Sequence, residues 1–148
     1  MGSLVAVAAV CLMPSAIRAE DVDLEDGHQC CRAPHPEALV IPADQFVGET
    51  SAAYAAAKQM PDICCKLFCY CGCDQVHGHS SLLECFITDH TVDCPTCRRE
   101  VLLALQLKKQ RKTIGEIQRA VDQQSAKDYP FKNASKALID YRARRQYK

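Results

Sequence analysis

The chain has no net charge: 18 Lys and Arg balance 18 Asp and Glu over 148 residues. No overall field therefore draws it to nucleic acid or to an anionic membrane. It has no apolar run long enough to span a bilayer, because "LVAVAAVCLM" at 4–13 has only the length of a signal-peptide core. No alternation of apolar and polar residues persists far enough to make a strand, and no repeat of solenoid length is visible. Nor is there a Ser-His-Asp arrangement, a phosphate-cradling glycine loop or a carboxylate pair, so hydrolase and kinase chemistry have no support and a binding role is preferred to an enzymatic one. What remains, at 48% hydrophobic residues, suits one globular all-α domain.

The first 19 residues are expected to be a signal peptide cleaved after Ala19, or an N-terminal anchor if they are retained. Residues 1–3 hold no Lys or Arg, which departs from the usual positive start of such a signal. Val10 is bulkier than the small residue a lipidated Cys11 would require before it. On this reading the protein is exported, periplasmic or otherwise extracytoplasmic, and it meets a membrane only through a retained N-terminus. Residues 20–50, rich in Pro, Asp and His, are expected as an irregular tether, with Cys30 and Cys31 either bridged or incidental.

The helical core is expected over 51–125. "SAAYAAAKQM" (51–60) is made of strong helix formers with Thr50 or Ser51 as cap, and Pro61 either interrupts this helix or opens a next one running to about Tyr70, with Gly72 as stop. Ser81 and Glu84 have capping-box spacing before a short apolar helix. Asp93 or Thr96 can cap a third helix bearing Val101, Leu102 and Leu105. Thr113 and Glu116 form a second box opening a fourth helix with Ile114, Ile117 and Val121. A basic helix over 126–148, capped by Asn133, completes four to five helices and offers a protein partner a surface. "KKQRK" (108–112) reads as a solvated helix face.

Eight of the 11 cysteines lie between Cys64 and Cys97, interleaved with histidines. The candidate ligands are Cys69, Cys71, Cys73, His79, Cys85, His90, Cys94 and Cys97. An unbroken helix through Gly72 would put Cys65, Cys69 and Cys73 on one face and turn Cys71 away, whereas a loop can direct the sulfurs of "CYCGC" to one ion. At a helix start, the two sulfurs of Cys94-Pro-Thr-Cys97 converge, and the free N–H groups favour thiolate, the form that both a metal and a nucleophile need. Tetrahedral zinc takes four Cys or His ligands, and this set is larger, which suggests two sites, a thiolate-rich Cu(I) site, or a metal beside a redox pair. Cys85 alone reads as a core thiol, His79 as part of a helix terminus and His90 as a loop residue; Cys64 and Cys65 read as packed core thiols. The other possibility for the whole set is a group of disulfides, in which "CYCGC" must pair outward because adjacent C-x-C bridges are strained.

"FCYCGC", "GHSSLLECF", "DH", "CPTC" followed by Glu100, and "KTIGEIQRAVD" resemble, in order and spacing, the bacterial PCYCGC-motif family, also described as CYCXC (seleno)proteins. The resemblance covers roughly Tyr54 to Asp122. It implies an exported or membrane-tethered bacterial protein, often a lipoprotein, whose role is not established. Selenocysteine in some members implies a chemically active chalcogen, as ligand or redox centre. The eight candidate ligands match the family pattern; Phe68 stands where the name-giving proline would be, and Cys64 and Cys65 lie outside it. The expectation is thus a small exported helical protein with a Cys/His centre at helix ends holding Cu(I) or Zn. The alternatives are a thiol–disulfide redox protein or sensor using Cys94 and Cys97, and an interaction module stabilised by a metal or disulfides.

Overall fold

A computed structural model describes residues 29–148. The signal or anchor at 1–19 and the first part of the expected tether lie outside the described residues. Among those described the chain is helical without strands. Its helices are α1 (Gln29–Arg32), α2 (Gly48–Gln59), α3 (Pro61–Cys64), α4 (Cys73–Val76), α5 (Pro95–Lys109), α6 (Ile114–Ser125) and α7 (Lys136–Arg144), joined by several 3-10 turns. None of them is long and apolar enough to cross a membrane.

The central layer is α2 against α5 against α6. Small residues on α2, Ala53, Ala56 and Ala57, let α5 approach closely with Val101 and Ala104, while α6 closes the other side with Ile117 and Val121. The Thr113 capping box forms as expected, with the Thr113 side chain accepting from the Glu116 N–H and the Glu116 carboxylate accepting from the Thr113 N–H. Other expected caps are corrected. Val47 stands at the N-cap of α2 without a side-chain bond, and the Ser51 hydroxyl donates instead to the Ala43 carbonyl at 2.8 Å. The Ser81 side chain caps no backbone N–H, Glu84 reaches back to the Ser80 N–H and hydroxyl, and Leu82–Phe86 is a wholly buried 3-10 turn. Cys94 itself is the N-cap of α5, and Ser135 caps α7 where Asn133 was expected.

The largest correction concerns the helix expected to reach Tyr70. Pro61 does open a helix at N1, but α3 ends at Cys64. Beyond it the backbone is satisfied by tertiary partners: the Lys66 carbonyl accepts from Gln118 Nε2, the Leu67 carbonyl from the Leu82 N–H, and the Tyr70 N–H donates to buried Glu100. In this irregular stretch alternate residues face opposite ways. Phe68 and Tyr70 enter an aromatic cluster with Tyr129 and Tyr141, and Cys69 and Cys71 turn together to the other side. Phe68, the departure from the family pattern, is therefore the hub of a small second core.

Residues 29–50 are no loose tether. Val40 and Cys30 are buried, Phe46 stacks on Tyr54 with ring centroids 4.2 Å apart, and Cys31 is disulfide-bonded to Cys65. The basic C-terminal segment is likewise fastened to the core. Leu138 and Tyr141 are buried, the Tyr141 hydroxyl donates to Asp122 at 2.7 Å, Tyr147 donates to the same carboxylate, and the Gln146 N–H donates to Gln118. Leu138 and Tyr141 are thereby used internally, while Arg142, Arg144 and Lys148 remain exposed.

Gly72 starts α4 rather than ending a helix. Its φ of +88° is left-handed, and a Cβ there would lie 2.6 Å from Pro130 Cγ. We expect Gly72→Ala to lower stability by roughly 2 kcal/mol or more, from left-handed strain of about 1–2 kcal/mol plus the clash with a rigid ring. Urea unfolding of the variant against the parent measures this; equal midpoints would refute it.

Candidate metal centre

Four local structures converge at the N-terminal end of α5. The irregular stretch brings Cys69 and Cys71, the first residue of α4 brings Cys73, the 3-10 turns Leu82–Phe86 and Asp89–Val92 bring Cys85 and His90, and α5 brings Cys94 and Cys97. His79 enters from the loop after α4. The turn holding His90 is fixed from several sides. Arg98 donates to the Thr91 and Val92 carbonyls at 2.9 and 2.7 Å, the Thr91 hydroxyl donates to the Cys85 carbonyl, and the Tyr54 hydroxyl donates to the Thr88 carbonyl.

All eight residues expected from the sequence meet in one cluster. The Cys69 sulfur lies 3.3 Å from that of Cys97 and 3.4 Å from that of Cys71; Cys71 and Cys97 are 3.9 Å apart, and Cys73 and Cys85 are 3.6 Å apart. Cys71 Sγ is 3.4 Å from His90 Nε2, and Cys85 Sγ is 3.5 Å from His79 Nδ1. Cys71, His90, Cys94 and Cys97 have their ligand atoms mutually within 4.8 Å, as do Cys69, Cys71 and Cys73, Cys69, Cys85 and Cys97, and Cys73, Cys85 and His90. All six of these cysteines are free. Two sulfurs bound tetrahedrally at about 2.3 Å from one ion stand about 3.8 Å apart, so the donor spacing suits a metal, whereas a disulfide needs about 2.05 Å. The donor set fits a soft or borderline ion.

Protonation is uneven across the cluster. Burial pushes the Cys69 thiol well above its ordinary range, while hydrogen bonds led by that from Cys69 hold Cys71 far below it. Hydrogen bonds, again led by Cys69, bring Cys97 down to about 4, and hydrogen bonding first to Cys71 and then to Cys97 pushes Cys94 up. Burial opposes a charge on His90, but the bond to Cys71 and the negative sulfurs outweigh it and raise its pKa. Burial lowers that of His79, helped by His90 and His77, which favours the neutral, ligating form of the ring. Beneath the cluster Glu100 is fully buried, burial raises its pKa well above the carboxylate range, and its Oε1 holds the Tyr70 N–H at 3.0 Å. It fixes the backbone between Cys69 and Cys71.

The sequence analysis missed His77. This exposed ring lies 5.0 Å from that of His90 and 5.6 Å from that of His79, and the latter two are 5.5 Å apart. The three line a cavity of about 470 Å³ with Thr88, Asp89, Val92 and Asp93. The alternation in "HGH" was the available signal. Of the remaining cysteines, Cys31 and Cys65 form the disulfide, and Cys64 is a buried thiol with its pKa pushed up to about 12 by burial. Cys30, buried beside Glu84, is pushed up to about 11, first by burial and then by that carboxylate.

Fold and site together define a small all-α protein whose Cys/His cluster can hold a metal ion. Residues 36–135 match the family described as "Protein of unknown function with PCYCGC motif". The chain belongs to that family. No curated protein and no solved structure matches it.

Proposed function

We propose that this is an exported protein that binds Cu(I) or Zn, and that it holds two ions in adjoining four-donor sets. One set is Cys71, Cys94, Cys97 and His90; the other is Cys69, Cys73, Cys85 and His79. The observation that carries the reading is the convergence of six free sulfurs and two imidazoles: five of the sulfurs and both rings lie in contacts of 3.3–3.9 Å, and Cys94 lies within 4.8 Å of Cys71, Cys97 and His90. Each set has three sulfurs and one nitrogen, and the Cys69–Cys97 contact joins the two. Six thiolates favour a soft ion, so Cu(I) is the preferred occupant and metal handling the preferred role. Export is supported by the leader-like residues 4–19 and by the Cys31–Cys65 disulfide, a bond that persists in oxidising compartments.

The redox alternative is weaker on chemical grounds. A C-x-x-C couple needs an accessible nucleophile. Here Cys97 is fully buried and its sulfur contacts those of Cys69 and Cys71, so the pair is embedded in the larger thiol set.

Anaerobic purification followed by metal analysis and thiol alkylation tests the proposal. The expected result is two ions per chain, with six thiols protected until a chelator removes the metal. Metal-free protein with a reversible Cys94–Cys97 couple would overturn it in favour of the redox protein.

A further inference from the structure

The thiol cluster leaves the histidine vestibule unexplained. His79 and His90 each offer one ring nitrogen to a sulfur, Nδ1 to Cys85 and Nε2 to Cys71, and both rings also line the cavity. An imidazole has a second nitrogen on the far side of its ring. His77 contacts no sulfur of the cluster, yet its ring completes a triangle with edges of 5.0, 5.5 and 5.6 Å between centroids. Three imidazoles bound tetrahedrally at a metal–nitrogen distance of about 2.0–2.1 Å have their centroids about 5.2 Å apart. The ring centroids are therefore spaced as three imidazoles around one ion would be.

The local chain builds this arrangement. The His77 N–H and the His79 N–H both donate to the Cys73 carbonyl, and Gly78 between them takes a left-handed φ of +73°, so both rings face one cavity. Asp89 and Asp93 in the wall add negative charge around a cation's approach. Behind the rings lie the buried sulfurs of Cys69, Cys73, Cys85 and Cys97. His90 touches both sets, since its ligand atom lies within 4.8 Å of the donors of Cys71, Cys94 and Cys97 and also of Cys73 and Cys85.

We propose that His77, His79 and His90 form an outer capture site for the metal ion. The ion binds first to the outward ring nitrogens and then passes inward by ligand exchange, as thiolates and the sulfur-facing nitrogen of His79 or His90 replace them, with protons released from the thiols to solvent. Imidazole suits both copper and zinc but holds Cu(I) less strongly than thiolate, which gives the transfer its direction. This inference rests on the reading of the thiol cluster as a metal centre.

The test is His77→Ala in the full chain, loaded anaerobically with Cu(I) from a chromophoric chelator and followed by stopped-flow absorbance. The expected result is an unchanged final stoichiometry, loading and chelator-driven removal both slowed by about tenfold or more, and recovery of the rate on adding free imidazole. The size follows from the 10- to 100-fold effects typical of groups that support a metal site. Unchanged rates would overturn the capture role, and loss of one tightly held ion would make His77 a permanent ligand instead. Parent protein that takes up no Cu(I) overturns the thiol-cluster reading and this inference with it, and that arm is read before the variant.

Discussion

Replacing Cys97 with serine is expected to remove tight metal binding from the set of Cys71, Cys94, Cys97 and His90, as is Cys94→Ser, while the set of Cys69, Cys73, Cys85 and His79 still binds. Cys97 is fully buried, touches the sulfurs of Cys69 and Cys71, and shares a donor group with Cys85 as well as one with His90 and Cys94. Cys94 is half-buried and belongs only to the outer group. Losing even a hydrogen-bond partner of a metal ligand typically costs 10–100-fold in affinity, so loss of this thiolate should exceed about 100-fold. Competition against a chromophoric Cu(I) chelator reads the affinity, and metal analysis after gel filtration reads the stoichiometry. Two ions for the parent and one for each variant is the expected series. Loss of both ions in either variant would refute the division into two sets, and two tightly held ions in Cys97→Ser would refute the centre.

Removing the Cys31–Cys65 disulfide with the pair Cys31→Ala and Cys65→Ala should cost about 4 kcal/mol, as the loop-entropy estimate gives for a bridge across a separation of 34 residues. In a domain of this size that lowers the melting temperature by on the order of 10–15 °C. The bridge ties α1 to the turn that leads into Cys69, so the first effect falls on docking of residues 29–50. Neither cysteine is among the ligand groups, and the folded variant should still bind two ions. Thermal and urea unfolding of the variant, with metal analysis at low temperature, separates the two roles. An unchanged melting temperature would remove the bridge from the account of stability. A loss of metal below the transition would make it part of the site.

Residue by residue, the elements legible in the sequence were those with local signals. The Thr113 box opens α6, Pro95 at N1 sets α5 so that Cys94 and Cys97 share its start, and Pro61 opens a new helix. That these eight cysteines and histidines form one cluster was also legible, because residues of such related chemistry are closely spaced along the chain. The failures occur where a distant group outweighs a local preference. Residues 65–70 have a helix-like apolar pattern, but Gln118, Leu82 and Glu100 supply hydrogen bonds that helix continuation would have supplied internally. Ser81 and Glu84 have capping-box spacing, but burial of the whole turn draws Glu84 to Ser80. Val40 and Phe46 sit in a segment whose composition suggested a tether, yet Phe46 stacks on Tyr54 and the Ile41 N–H beside Val40 donates to the Phe86 carbonyl, far away in sequence.

The sequence by itself determined the all-α class, the main helix starts and the identity of the donor atoms, since each depends on side-chain chemistry and near neighbours. Only the tertiary structure decided which cysteines stay free and which pair, how the eight donors divide around the N-terminal end of α5, and that His77 joins His79 and His90 at one opening. Those outcomes depend on distances between segments tens of residues apart. Such distances are set by how α2, α5 and α6 pack and by the alternating side chains of Phe68 to Cys71, and no local spacing encodes them.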